Sequence, residues 1–240
     1  DWDNPGLQIG SRRWPVARAQ VALDPLPGVV CAAAESGIDL LVTHHPLVLR
    51  PLKSIDVDRP VGDVIQTALK ARLAVACAHT NLDSAGGGLN DALAERLGLE
   101  DLRPLAADHG LGRVGKLERE ATLEAFALRA RERLGLDRVR VVGRPDLPVS
   151  RVAVCTGSGG SLLPDFMACD AQVYVSGDLR YHDAREAEVQ DRGLIDVGHF
   201  GAERLAIELL CRRMGQELQH RGLEATVEPC RLEKEPFADY

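Results

Sequence analysis

No CxxC pair occurs among the six cysteines, which stand at 31, 77, 155, 169, 211 and 230 without regular spacing. A cysteine-ligated zinc site is therefore not expected. Cys77 and Cys155 lie in strand-like apolar runs, and Cys31 and Cys211 in helix-like ones. All four read as buried small hydrophobes of a protein in a reducing cytosol. No apolar run approaches the ~20 residues of a membrane span. No lysine/arginine cluster stands clear of acids, and the formal charge is -7, so nucleic acid is not indicated as a partner. Arg129 to Arg133 is interrupted by Glu132 in a helical pattern and reads as a solvated face. No signal peptide is visible, though the chain opens inside a motif at Asp1-Trp2-Asp3, as it would if a preceding segment had been removed. What remains is 240 residues, 45% hydrophobic, enough for one large α/β domain or two small ones.

Histidine is scarce but placed with a pattern. Asp39 to Thr43 is an apolar run of the kind that forms a strand covered on both faces, and His44-His45 follow it directly. Adjacent side chains of an extended strand end point to opposite sides. The two imidazoles can thus face two metal ions, or one ion and one structural partner. The segments AHTNLD and GHFGAE each read His-x-x-x-acid after an apolar run, giving His79/Asp83 and His199/Glu203. If a helix starts there, residues four apart share a face and can close on one ion. Imidazole with carboxylate suits zinc, iron, manganese or nickel rather than calcium.

The chain also repeats itself. Val21-Ala22-Leu23, a helical stretch through Ala34 and a strand ending at Thr43 match Val152-Ala153-Val154, a helical stretch through Met167 and a strand from Ala171 to Ser176. Each half then runs through a helix into a third strand, Leu73 to Cys77 or Leu194 to Val197, and delivers its His-x-x-x-acid. Two copies at this spacing indicate a duplicated αβ unit with largely parallel strands. Ligand sites of such folds gather beyond the carboxyl ends of strands, where all the histidine motifs fall. The halves are expected at about 1–115 and 147–240. Between them, 116–146 reads as strand, helix, strand, with Thr122 as N-cap and Gly135 as C-terminal stop.

Two further features bear on chemistry. Thr156-Gly157-Ser158-Gly159-Gly160-Ser161 follows a strand and precedes a helix, so backbone N–H groups at Gly157, Ser158 and Gly159 can cradle an anion. The loop is neither a Walker loop nor a dinucleotide fingerprint, and a tight packing turn is the alternative. Asp178 and His182 are also four apart. They read as support for the ligands or a proton relay, or as a capped helix start with a surface histidine.

Taken in order, WDNPGLQIG, DLLVTHHPLVLRPLKSI, AHTNLDSAGGGLNDALAERLGL, VAVCTGSGGS, YVSGDLRYHDA and DVGHFGAE resemble the Nif-three-like dinuclear metal proteins. Members are often labelled GTP cyclohydrolase I type 2. The resemblance runs from the first residue to about Leu210, and 116–146 leaves no room for the domain inserted in longer members. It implies an α/β fold of two similar halves and two divalent ions per chain. His44 and His199 would hold one ion, His45 and Asp83 the other, with Glu203 bridging. His79 would orient a water or accept its proton. Phe200-Gly201-Ala202 in the spacer and Leu49-Arg50 depart from the common pattern and bear on substrate identity rather than metal binding. Also implied are a toroidal homohexamer and a metal-dependent hydrolase acting on a nucleotide or other phosphate-bearing small molecule, while the cysteine usage reads as a cytoplasmic location. The anionic end of that substrate is expected near Gly157 to Ser161 or Lys53. The alternative is a metal-binding or scaffold protein without turnover.

Overall fold

The structure is a computed structural model that describes residues 3–238. Asp1 and Trp2 of the opening motif lie outside the described residues. The chain runs β1 (Gly6–Ile9), β2 (Arg18–Ala22), α1 (Pro27–Glu35), β3 (Leu40–Thr43), α2 (Pro60–Ala71), β4 (Ala74–Cys77), α3 (Thr80–Ser84), α4 (Leu89–Leu97), β5 (Leu99–Pro104), β6 (Arg113–Thr122) and α5 (Leu123–Leu134). It continues through β7 (Arg140–Val142), β8 (Pro148–Ser158), a 3-10 turn (Gly159–Leu162), α6 (Leu163–Ala168), β9 (Val173–Gly177), α7 (Tyr181–Val189), β10 (Gly193–Asp196), α8 (His199–Glu203), α9 (Leu205–His220) and β11 (Thr226–Pro229). Two compact units result, one from residues up to Leu82 and from Ala206 onward, the other from Asp83–Leu205.

Among the described residues the first unit carries a five-stranded sheet ordered β1-β4-β3-β2-β11, and the second a six-stranded sheet ordered β5-β6-β8-β9-β10-β7. In the first, β2, β3, β4 and β11 pair in parallel and β1 is antiparallel at the edge. In the second, β8, β9 and β10 pair in parallel, while the β5–β6, β6–β8 and β7–β10 pairs are antiparallel. The parallel strands are nearly continuous apolar runs because both their faces are covered. All five residues of β9 are buried, as are all four of β10. Ile9, Val30, Leu41, Val64 and Leu73 anchor the first core. Val114, Phe166, Tyr174 and Leu194 anchor the second, where the Phe166 and Tyr174 rings stack at 5.2 Å.

The repeated order is real: β2-α1-β3-α2-β4-α3 and β8-α6-β9-α7-β10-α8 are the same succession. The segment 116–146, expected between the halves, is part of the second sheet instead. Its strands satisfy their backbone groups on β5, β8 and β10, and no inserted domain occurs there. The halves expected at 1–115 and 147–240 therefore do not coincide with the two units. Thr122 does cap α5, accepting the Ala125 N–H at 3.2 Å, and Gly135 ends it in the left-handed region. Cys77 and Cys155 are buried as expected, but Cys31 is exposed. Its helix position faces away from the stripe formed by Val29, Val30 and Ala33, and that stripe is the apolar face the sheet covers.

Candidate metal centre

Register decides which side chains leave the first sheet together. Thr43 at the end of β3 pairs with Cys77 at the end of β4. The ladder continues one step further, with Ala78 N–H donating to Thr43 O at 2.9 Å. His44-His45 and His79 therefore emerge side by side. The strand-end alternation expected for His44 and His45 gives way here, because the chain bends directly after β3. Their ring centroids are 5.2 Å apart, and the His79 ring lies 5.4 Å from His44 and 5.8 Å from His45.

Each ring is held through the same nitrogen. His44 Nδ1 meets the Ala78 carbonyl at 2.7 Å, His45 Nδ1 meets Asp24 Oδ1 at 2.8 Å, and His79 Nδ1 meets Asp3 Oδ1 at 2.6 Å. A carbonyl or ionised carboxylate only accepts, so Nδ1 carries the proton and donates, leaving the acceptor lone pair of a neutral ring on Nε2. Asp3 also accepts from the Thr80 hydroxyl and from Thr80 N–H. Burial pushes the Asp3 carboxyl up, but the Thr80 and His79 bonds outweigh it and hold the pKa below the usual carboxylate range. Cys77 lies under this group with its thiol donating to His44 O at 3.0 Å, and burial pushes its pKa up to about 12. It is a structural thiol at neutral pH.

The second unit repeats the arrangement. Ser176 of β9 pairs with Asp196 of β10, so Asp178 and His199 leave neighbouring strand ends. His199 Nδ1 meets Asp178 Oδ2 at 2.7 Å, and its Nε2 lies 2.9 Å from Glu203 Oε2 one helical turn on. The Glu203 bond raises the His199 pKa to about 9 against the opposing effect of burial, with Asp178 contributing further. Glu203 itself is buried. Asp83, also buried, accepts the Thr156 hydroxyl at 3.3 Å.

Two glycines make room for these groups. Gly157 sits at φ +62°, and a Cβ there would fall 2.1 Å from Glu203 Oε1. A Cβ on Gly177 would fall 2.7 Å from the backbone nitrogen of His199, so only glycine lets β9 approach the start of α8. Gly157 and Ser158 end β8 and Gly159 opens the 3-10 turn. The carbonyl of Gly157 accepts from Ser176 Oγ at 3.4 Å and that of Gly159 from the Tyr174 hydroxyl at 2.9 Å. At Gly157, the first residue of the expected anion cradle, the neighbouring group is the Glu203 carboxylate.

The sequence-based candidates thus divide. His44 and His45 stand as candidate metal ligands in the first unit, and in the second His199 pairs with the candidate ligand Glu203 as the spacing predicts. Asp178 supports His199, whereas His182 is exposed and lies edge-on to Tyr181 at 5.5 Å. The two do not share a helix face, because Asp178 precedes α7 in a left-handed conformation, φ 54°. Missed were Asp3, Asp24, Asn90 and Thr156. Asp24 follows β2, the sheet neighbour of β3, so strand order would have pointed to it; Asp3 reaches His79 across 76 residues and carries no local signal.

Parallel strand ends that deliver imidazoles, each locked through Nδ1, define an α/β protein with a candidate histidine and glutamate metal site. The family model Duf34/NIF3 (NGG1p interacting factor 3) matches residues 1–236, and the chain belongs to that family. It is similar to a GTP cyclohydrolase 1 type 2 homolog of Streptomyces coelicolor, 35% identical over 246 residues that cover 98% of this chain and 86% of the relative. Another of the same name in Streptococcus pneumoniae is 33% identical over 242 residues, 98% of this chain and 91% of the relative. Among solved structures, a Bacillus cereus protein related to NIF3 superposes with a TM-score of 0.92 at 25% identity, covering 100% of this chain and 94% of its own.

Proposed function

We propose that the protein is a metal-dependent hydrolase holding two divalent ions through His44, His45, Asp83, His199 and Glu203, and acting on a nucleotide or related phosphate-bearing small molecule. The observation that carries the reading is the common Nδ1 tether of His44, His45 and His199. Such tethers are what metal-ligating histidines need, since they fix the tautomer and aim Nε2. The donor set of neutral imidazoles and buried carboxylates fits zinc, iron, manganese or nickel. In the same way, the pairing of His199 Nε2 with Glu203 is maintained by a proton whose place a cation can take.

Bound divalent ions acidify water and stabilise both attacking and leaving oxygens. The chain's own part is to place and move protons. Asp24 and Asp178 orient His45 and His199, and Ala78 O orients His44. His79, with Asp3 on its Nδ1, accepts the proton of the attacking water at Nε2, and the Asp3 anion stabilises the imidazolium that forms. The names of the relatives make GTP the first substrate to try, followed by phosphodiesters. Assembly belongs to the same reading. The segment 46–59 exposes Leu49, Leu52, Ile55 and Val57, with Ile55 62% exposed, and a hexameric ring would cover such residues.

Metal analysis of Glu203→Gln together with a hydrolysis screen tests the proposal. The variant is expected to retain one ion or none per chain while wild type carries two and turns over a screened substrate. A variant that still holds two ions removes Glu203 from the bridging role, and metal-loaded wild type inert on every substrate leaves a metal-binding or scaffold protein.

A further inference from the structure

The end of β8 has an assignment its glycines alone do not suggest. Two buried side chains, Asn90 and Thr156, tie the strand end to Asp83. Asn90, at 0% exposure, donates from Nδ2 to the Asp83 carbonyl at 3.1 Å and accepts the Thr156 N–H on Oδ1 at 2.9 Å. The Thr156 hydroxyl donates to Asp83 Oδ1 at 3.3 Å. Asp83 is thereby fixed twice, once through its carbonyl and once through its carboxylate. The turn that follows is pinned as well. Arg113 donates to Ala85 O at 3.0 Å and grips Asp91 of the same helix as Asn90 in a two-pronged ion pair at 2.7 and 2.8 Å. One residue beyond Thr156, Gly157 gives Glu203 its space, since any Cβ there would fall 2.1 Å from Oε1.

We propose that Thr156 and Gly157, adjacent on one strand end and braced by Asn90, are positioning residues that set the Asp83 and Glu203 carboxylates for metal binding. This rests on the reading of Asp83 and Glu203 as ligands. The strand end is a spacer. A hydroxyl bonded to Asp83 at one residue and a missing side chain beside Glu203 at the next let one peptide address two acids. The role asks for a donor at 156 and nothing at 157. A hydroxyl bond to the carboxylate restricts which oxygen is presented to a cation, and outer partners of this kind are typically worth about 10- to 100-fold in metal affinity.

Titration calorimetry of Zn2+ into metal-free protein, with the melting temperature of each metal-free variant alongside, tests the assignment. Thr156→Val keeps shape and removes the donor. It is expected to bind zinc about 10- to 100-fold more weakly than wild type, with an unchanged metal-free melting temperature, and Thr156→Ser is expected to restore wild-type affinity. Gly157→Ala is expected to weaken binding at least as much. Should that variant fail to fold, the Val/Ser pair at 156 decides. Asp83→Asn separates the two layers of inference. If Asp83→Asn weakens zinc binding while Thr156→Val matches wild type, the positioning role is overturned and the ligand stands. If Asp83→Asn itself binds like wild type, the ligand assignment fails and the positioning role with it.

Discussion

A neutral imidazole has two nitrogens and one proton, so whatever holds one nitrogen decides what the other can do. That makes Asp24 a sensitive residue. Its carboxylate holds His45 Nδ1 at 2.8 Å and is partly exposed, so its removal leaves no buried charge stranded. Asp24→Asn should fold normally, because Asn still accepts a hydrogen bond, yet weaken the metal about 10-fold or more by lowering the basicity of His45. Competition with a metal-binding dye would read this out. His79→Ala separates binding from turnover. His79 is cast as a base, so metal content should stay at the wild-type level while the rate falls about 100- to 10,000-fold; metal analysis beside steady-state kinetics of the same preparation checks both. The side chains cast as ligands were legible because spacing and strand position are local properties. Asp3, Asn90 and Thr156 were not. Their partners lie 76, 7 and 73 residues away, and only tertiary pairing brings them together.

At the level of elements, β3 matters most, since it delivers two of the candidate ligands. Its start is fixed by Asp39, whose carboxylate accepts Ala17 N–H at 2.8 Å and Arg18 N–H at 2.9 Å. Those backbone bonds hold the Asp39 pKa below its ordinary value of 3.8. A carboxyl whose folded pKa is depressed contributes stability above its unfolded pKa, and the contribution disappears as pH falls through the folded value. Asp39→Asn should therefore lose part of the acid limb of the stability curve. Between about pH 7 and about pH 3 its melting temperature should fall less than that of wild type, as calorimetric scans at several pH values would show. Strands, helix order and the Thr122 and Gly135 ends of α5 were readable from apolar runs and capping chemistry. The fate of 116–146 was not, because a strand's sequence does not say which sheet it joins. Nor did periodicity over nine residues settle the face of α1 that carries Cys31.

For the molecule as a whole, the proposed ring predicts a light-scattering mass six times the 26.0 kDa chain, and a stable monomer across micromolar concentrations would rule it out. Among the described residues, no helix is long and apolar enough to cross a membrane. The first unit has a less obvious consequence. Its sheet closes only when β11 pairs with β2, with Thr226 opposite Arg18 and Pro229 opposite Val21, and Glu233 then accepts the backbone N–H of Leu23 and Asp24 at 2.7 and 2.6 Å. On a translating ribosome the opening strands must wait for some two hundred later residues before that edge is covered. At about 5–20 residues per second, the wait is on the order of 10 to 40 seconds. Throughout it β2 presents an unpaired edge to other nascent chains, and Asp83–Leu205 is complete before the closing strand Thr226–Pro229 is made. Order of synthesis and order of folding are thus inverted: the first strands made are among the last to be finished, and the aspartate that orients His45 settles only when the tail arrives.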